Sequence, residues 1–353
     1  MNAARDFNRA QLGRNAGRVA VAAATVALVL LVLAPAAAVP AYRFAAFACL
    51  QPALGSLIFA LIYRITGGQW GESLFPYLRG GIRLLPWIWP LIALLILVPA
   101  SHPALPPPDP SIPANPPATM LLLRAAIYEG IFLGLRRVAL RTSGRSLAAP
   151  GLLVLVFTLH FLAADWFFTL EPGWYSSGFP LVWMSIQATA GLSWAILLAA
   201  GRGVNPAEAG SAGRPLGLDW GNLLLTTVIF SSYVAFMEFL IIWSGNLPRE
   251  IIWFLHRDSG GWRAVIIGLA LLHLFFPLGC MLLRPLKASR AGVPRIAALL
   301  CVAEIFWAAW FILPSFGNRG VLLPISCAVF LLGAGGLFLN RYLAEIPPVK
   351  ASP

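Results

Sequence analysis

Asp165 and Glu171 stand in one short segment with Trp166, Trp174 and Tyr175, where an apolar stretch of the chain ends. Aromatic residues alone would mark an ordinary interfacial helix end. Carboxylates at that depth point instead to a polar cavity opening at a membrane surface. Carboxylates can exchange protons, and the aromatic faces offer flat surfaces for a planar ring. The competing reading is an external loop whose carboxylates cap the next turn or pair with Arg249 or Arg263.

Six ionisable groups lie deeper in apolar sequence: Arg124, Glu129, His160, Glu238, His273 and Glu304. Burying such a group costs several kcal/mol unless it is paired or hydrated, so each is a candidate by default. Glu238 falls six residues, about 9 Å, below the outer end of its stretch. Ser231, Ala235 and Glu238 share one helical face. This carboxylate reads either as a proton carrier linked to the outer surface or as a group neutralised by a nearby Arg. Glu304 sits near mid-membrane, with both readings open. Glu129 has Arg124 about one and a half turns away, which suits a structural Arg–Glu pair as well as a relay. His160 and Asp165 point about 140° apart on an ideal helix and need not touch. A lone His on an apolar helix is commonly a packed one. No paired-His helix spacing supports haem ligation by His160 and His273.

These groups must be positioned by membrane-spanning helices. The chain has 353 residues, 59% of them hydrophobic and only 11% charged, with mean hydropathy +0.80. Soluble domains carry about 25% charged residues, so lipid is the main solvent. The net charge of +12 is spread over span ends and forms no continuous patch, which argues against nucleic acid. Cys49, Cys280, Cys301 and Cys327 are far apart and inside apolar stretches. Without a CxxC or CxxCH motif, they encode neither an iron–sulfur cluster nor c-type haem, and no metal site is expected.

Ten stretches reach the ~17–25 residues needed to cross a ~30 Å hydrocarbon core. They lie near 19–39, 44–64, 84–100, 118–139, 149–169, 179–200, 220–244, 263–283, 296–315 and 321–340. The expected fold is an all-α polytopic membrane protein, one integral domain over 1–353. The first stretch ends in a small-residue run like a signal-peptide cleavage site, but its length predicts a retained anchor. With the N-terminus inside, nineteen of the 25 Lys and Arg fall on the cytoplasmic side. Arg43, Arg249, Arg257, Arg263 and Arg319 fall outside, and Arg124 is within a span. That bias predicts both termini in the cytoplasm. The proline-rich stretch 101–117, devoid of Lys and Arg, reads as an extended external connector, and 245–262 as a partly helical interfacial segment.

Four segments together resemble a known family. The first is Asp165-Trp166-x-x-Thr169-Leu170-Glu171-Pro172-x-Trp174-Tyr175-Ser176-Ser177. The second is Ile65-Thr66-Gly67-Gly68-Gln69-Trp70-Gly71, which leads to Arg79 and Arg83. The third is Leu121-Leu122-Leu123-Arg124, with Tyr128 behind it. The fourth runs from Glu238 through Trp243, Asn246 and Pro248 to Glu250. They resemble the NrfD/polysulfide-reductase-type membrane subunits, and most the second such subunit of bacterial alternative complex III, a quinol:electron-acceptor oxidoreductase. The likeness spans roughly 44–316; Gly173 stands where a bulky polar residue such as His would be expected.

The resemblance implies that spans 2–5 and 6–9 each form a four-helix bundle, with peripheral helices around them. It implies a quinol site or proton path in a respiratory complex of the bacterial inner membrane. Quinol is then the possible ligand, and iron–sulfur clusters and haems belong to partner iron–sulfur and cytochrome c subunits beside another NrfD-like subunit. The chain would not be an enzyme by itself. The alternatives are a proton-coupled secondary transporter, against which prolines mainly at span ends argue, or a passive scaffold.

Overall fold

The computed structural model describes residues 2–97, 117–141, 145–171, 174–317 and 320–346. In lipid every backbone N–H and C=O must be satisfied within the segment, which leaves helices as the available element for these apolar runs. The described residues accordingly form α1 (Asn2–Leu33), α2 (Pro35–Thr66), α3 (Gln69–Leu97), α4 (Ala118–Leu140), α5 (Arg145–Phe167), α6 (Phe179–Gly201) and α7 (Leu216–Gly245). They continue with the short α8 (Pro248–Arg257), then α9 (Trp262–Leu269), a π-helical turn (Ala270–Phe275) and α10 (Phe276–Leu282), which together make one span. α11 (Arg284–Lys287), α12 (Gly292–Ile312) and α13 (Leu322–Glu345) complete the chain. The protein is an all-α polytopic membrane protein.

Eight of these helices are long and apolar enough to cross a membrane, and they coincide with eight of the ten expected spans. The first expected span maps to the apolar part of α1, Gly17–Leu33, and the third to α3. The first boundary differs from the expected one. The turn falls at Ala34, and Pro35 opens α2 because a first-turn proline lacks only an N–H that would be unpaired anyway. The connector expected over 101–117 lies outside the described residues apart from Pro117.

α2, α3, α4 and α5 pack as one four-helix group; α6, α7, the α9–α10 span and α12 pack as a second. α13 covers α2 and α3, and α1 packs on α13. The two groups meet where α2 crosses α6. There Gly55 and Gly191 face one another so closely that a Cβ on either would strike the other helix's backbone. Small residues permit this approach, and dispersion between the backbones replaces the hydrophobic drive that lipid cannot supply. Buried Ser56 donates to the Pro52 carbonyl on this central helix at 2.6 Å.

The loops sort onto two ends. At one, Arg64 Nε donates to the Ala139 carbonyl (2.9 Å) and Arg202 to that of Leu343 (3.2 Å), while Arg83 pairs with Glu345 (2.9 Å). At the other lie residues 165–171 and 174–177, α8 and the end of α12. α7 ends there on Asn246 in the left-handed conformation (φ 47°), which asparagine tolerates better than most side chains.

Candidate functional site

At the carboxylate-bearing end, each acidic side chain finds a distinct partner set. Asp165, from the last turn of α5, binds Arg124 Nη1 of α4 at 2.5 Å and accepts from the Tyr128 hydroxyl at 2.6 Å. Arg124 therefore does not pair with Glu129, as one reading had it. Glu129 stays half-buried on α4, with no hydrogen bond or ion pair to a described residue.

Glu171 is buried beyond the 3-10 turn that ends α5. Its carboxylate accepts from Ser315 Oγ (2.6 Å), lies 3.0 Å from His256 Nδ1 and 3.4 Å from Arg257 Nη1. Neither Arg249 nor Arg263 takes this place; Arg263 pairs with exposed Asp258 at 2.6 Å. Arg257 is only 1% exposed and also donates to the carbonyls of Trp253 (2.9 Å), Trp310 (3.1 Å) and Phe311 (2.7 Å). It thus ties α8 to the end of α12. Burial pulls Arg257 down to about 9, against the opposing charge of Glu171, so it is still a cation at neutral pH. Burial pushes the Glu171 carboxyl up, but the bond to His256, the Arg257 charge and Ser315 outweigh it and leave it below the ordinary value. His256 is correspondingly raised, by its bond to Glu171, with burial opposing.

Trp174 does not offer a free face to a quinone ring. It is fully buried and stacked on Trp253 with centroids 4.2 Å apart, and Arg257 lies 3.2 Å over the other ring of that pair. Tyr175, 52% exposed, is the aromatic of this segment that faces outward. His160 is half-buried beside Phe161 and apart from Asp165, as its helical phase predicts. Gly173 lies outside the described residues.

Glu238 is the exception at this end. It is buried on α7 and takes a short hydrogen bond from Ser176 Oγ. Ser176 in turn accepts the N–H groups of Gly178 and Phe179 at 3.1 Å each, where α6 begins. A side chain at Gly178 would collide with Glu238 Oε2, so the glycine makes room for the carboxylate. No Arg, Lys or His forms an ion pair with Glu238 among the described residues. An uncompensated carboxylate of this kind can take up a proton without stranding a cation.

Seven residues before Glu238 on the same buried face, Ser231 reaches His273. Its Oγ is 2.8 Å from His273 Nε2, and His273 Nδ1 is 3.3 Å from Glu304 Oε1. His273 belongs to the π-turn. Pro277, four residues on, has no N–H for the His273 carbonyl, and the Phe276 N–H bonds back five residues to Leu271. The proline spacing was the available signal.

At the opposite end, the Gln69 segment lines a cleft of about 620 Å³. Gln69 there donates to Asp219 (2.6 Å), which also pairs with Arg214 (2.7 Å). No cluster of His, Cys, Asp or Glu suited to a metal occurs among the described residues.

Neither a protein-family model nor a curated protein matches the chain.

Proposed function

We propose that this chain is a membrane subunit of a quinol-oxidising respiratory complex of the alternative complex III kind, and that Glu238 receives protons at its outer surface. The observation that carries the reading is the Ser176–Glu238 bond. It joins two of the segments that bear the resemblance, 62 residues apart, around a carboxylate without a cation. A third segment reaches the same end through Arg124 and Tyr128 on Asp165. Asp165 and Glu171, already neutralised by cations, brace this end; Tyr175 and Glu238 face the ligand side.

On this reading the protein lies in a bacterial inner membrane with its Arg-rich end and both termini in the cytoplasm, as the cation bias favours. The redox groups, iron–sulfur clusters and haems, belong to partner subunits, together with a second NrfD-like chain. The tagged chain, extracted from its native membranes in mild detergent, should bring these proteins with it. In that complex Glu238→Gln should leave subunit content unchanged and cut quinol oxidation about a hundredfold, the low side of what a positioned proton acceptor contributes. Recovery as a stable lone oligomer that moves a solute would overturn the proposal. The proton-coupled transporter remains the second reading, favoured by the π-turn that interrupts the α9–α10 span at His273.

A further inference from the structure

Ser231, His273 and Glu304 come from three different spans, and each stands near the middle of its span. His273 is 1% exposed and Glu304 2%, and Ser231 is fully buried. Glu304 and His273 lie within ion-pair distance but are not aligned as a hydrogen bond, so Nδ1 and both carboxylate oxygens lack a hydrogen-bond partner. Trp307 closes the site edge-on, its ring centroid 6.0 Å from that of His273. Cys301, one turn before Glu304, is the nearest other titratable group on α12; on α7 Tyr233 is exposed, and Glu238 is the next buried one. No Arg or Lys forms an ion pair with either residue among the described ones. Structural carboxylates at this depth need a fixed countercharge. Here the available partner is itself a titrating group.

We infer that these three residues form a proton-loading site in the membrane interior, which holds one exchangeable proton between His273 and Glu304. The inference rests on the reading of Glu238 as a proton acceptor, since Glu238 stands about 10 Å from Ser231 along the same face of α7. The hydrogen-bond bookkeeping defines two states. In the empty state Ser231 donates to Nε2, His273 donates from Nδ1 to an ionised Glu304, and the pair carries one negative charge. In the loaded state Ser231 turns to the Val228 carbonyl, 3.2 Å away, and Nε2–H donates to Oγ. The added proton leaves the pair with zero net charge, either as imidazole with a neutral carboxyl or as imidazolium with carboxylate. Atoms and charge balance with one proton from the Glu238 side and no other reactant. The serine hydroxyl is thus a two-position indicator of loading.

The order Ser–His–Glu also resembles a nucleophile, base and orienting acid. Ser231 has no exposed surface for a substrate to reach, so a relay suits the site better than acyl transfer.

The test uses the full-length chain in lipid nanodiscs, without quinol or partners. Infrared difference spectra between acid and alkaline buffer should contain a carboxyl C=O band that Glu304→Gln abolishes. His273→Gln should move the pH midpoint of that band by at least about one unit. Ser231→Ala, a small change that keeps the fold, should also shift the midpoint. Nitrogen NMR of labelled histidine in the unaltered chain provides the readout if Glu304→Gln does not fold: one buried imidazole should exchange its Nε2 proton with pH. Absence of both the band and the exchanging imidazole would overturn the inference, as would labelling of Ser231 by a fluorophosphonate. A loaded site in a chain that does not assemble with redox subunits would instead discard the quinol-complex reading and keep this one.

Discussion

Glu171 and Glu304 are both buried carboxylates next to a histidine, at 3.0 and 3.3 Å, yet their surroundings differ in one respect. Glu171 also has Arg257, Ser315 and the α8–α12 tie around it. Glu304 has nothing charged beyond His273 among its described neighbours. A permanent cation fixes a carboxylate in one protonation state; a histidine leaves the proton free to choose. The Glu171 cap is therefore built to hold shape, and the mid-membrane pair to change charge. Glu238 belongs with the second class, because Ser176 offers it a dipole and no charge.

Both regions depend on the two helix groups staying in register, so Gly191→Leu should have the largest effect. Its side chain would enter the α2 backbone at Gly55, where no flexible neighbour can yield, so the clash goes beyond the ~1–3 kcal/mol of ordinary overpacking and abolishes the crossing itself. Loss of the monodisperse peak in detergent chromatography checks it; normal assembly would mean that the crossing can slide.

Arg257→Met tests the cap alone. It leaves the buried Glu171 with His256 and Ser315 but without its buried cation, and removing one partner of a buried pair costs up to about 3–5 kcal/mol. Adding Glu171→Gln should recover most of the lost thermal stability, which a purely steric role for Arg257 would not permit. Neutralising Glu304 should cost much less than Arg257→Met, since no cation is stranded.

The smallest effect is on pH. His256 is raised above its ordinary 6.5, so its contribution is full below that value and fades as pH rises through the raised one. Glu171 is lowered from 4.5, so its contribution is full above 4.5 and fades as pH falls through the lowered value. Thermal stability of the Glu171 end should therefore be highest between those limits. His256→Gln should flatten the alkaline fall and also weaken the acid one, because the His256 bond helps to hold Glu171 below its ordinary value.

The spans were legible because a 20-residue apolar run in lipid has little choice but a helix. The helical phase of Ser231 with Glu238, and of His160 away from Asp165, was legible for the same reason. Partner identity was not. Arg124 and Asp165 are 41 residues apart, His256 and Glu171 85, and Ser231 and His273 42, and no local spacing rule reaches so far. Nearest-neighbour logic allowed an Arg124–Glu129 pair and left Trp174 open to a ligand. The tertiary fold gave each a different neighbour, because α4 turns Arg124 toward the end of α5 while α8 folds back over Trp174.

The Glu171 cluster also sets a timetable for synthesis. Its carboxylate is inserted early, but Arg257 follows 86 residues later and Ser315 a further stretch on, 144 residues after Glu171. At about 5–20 residues per second, the last ligand emerges roughly 7 to 30 s after the first. Through that interval the nascent chain carries a solvated carboxylate beyond the end of α5, and α8 lacks the α12 carbonyls on which it docks. The latch closes only when the twelfth helix arrives, so a chain stalled before it is an open form that proteases and chaperones can recognise.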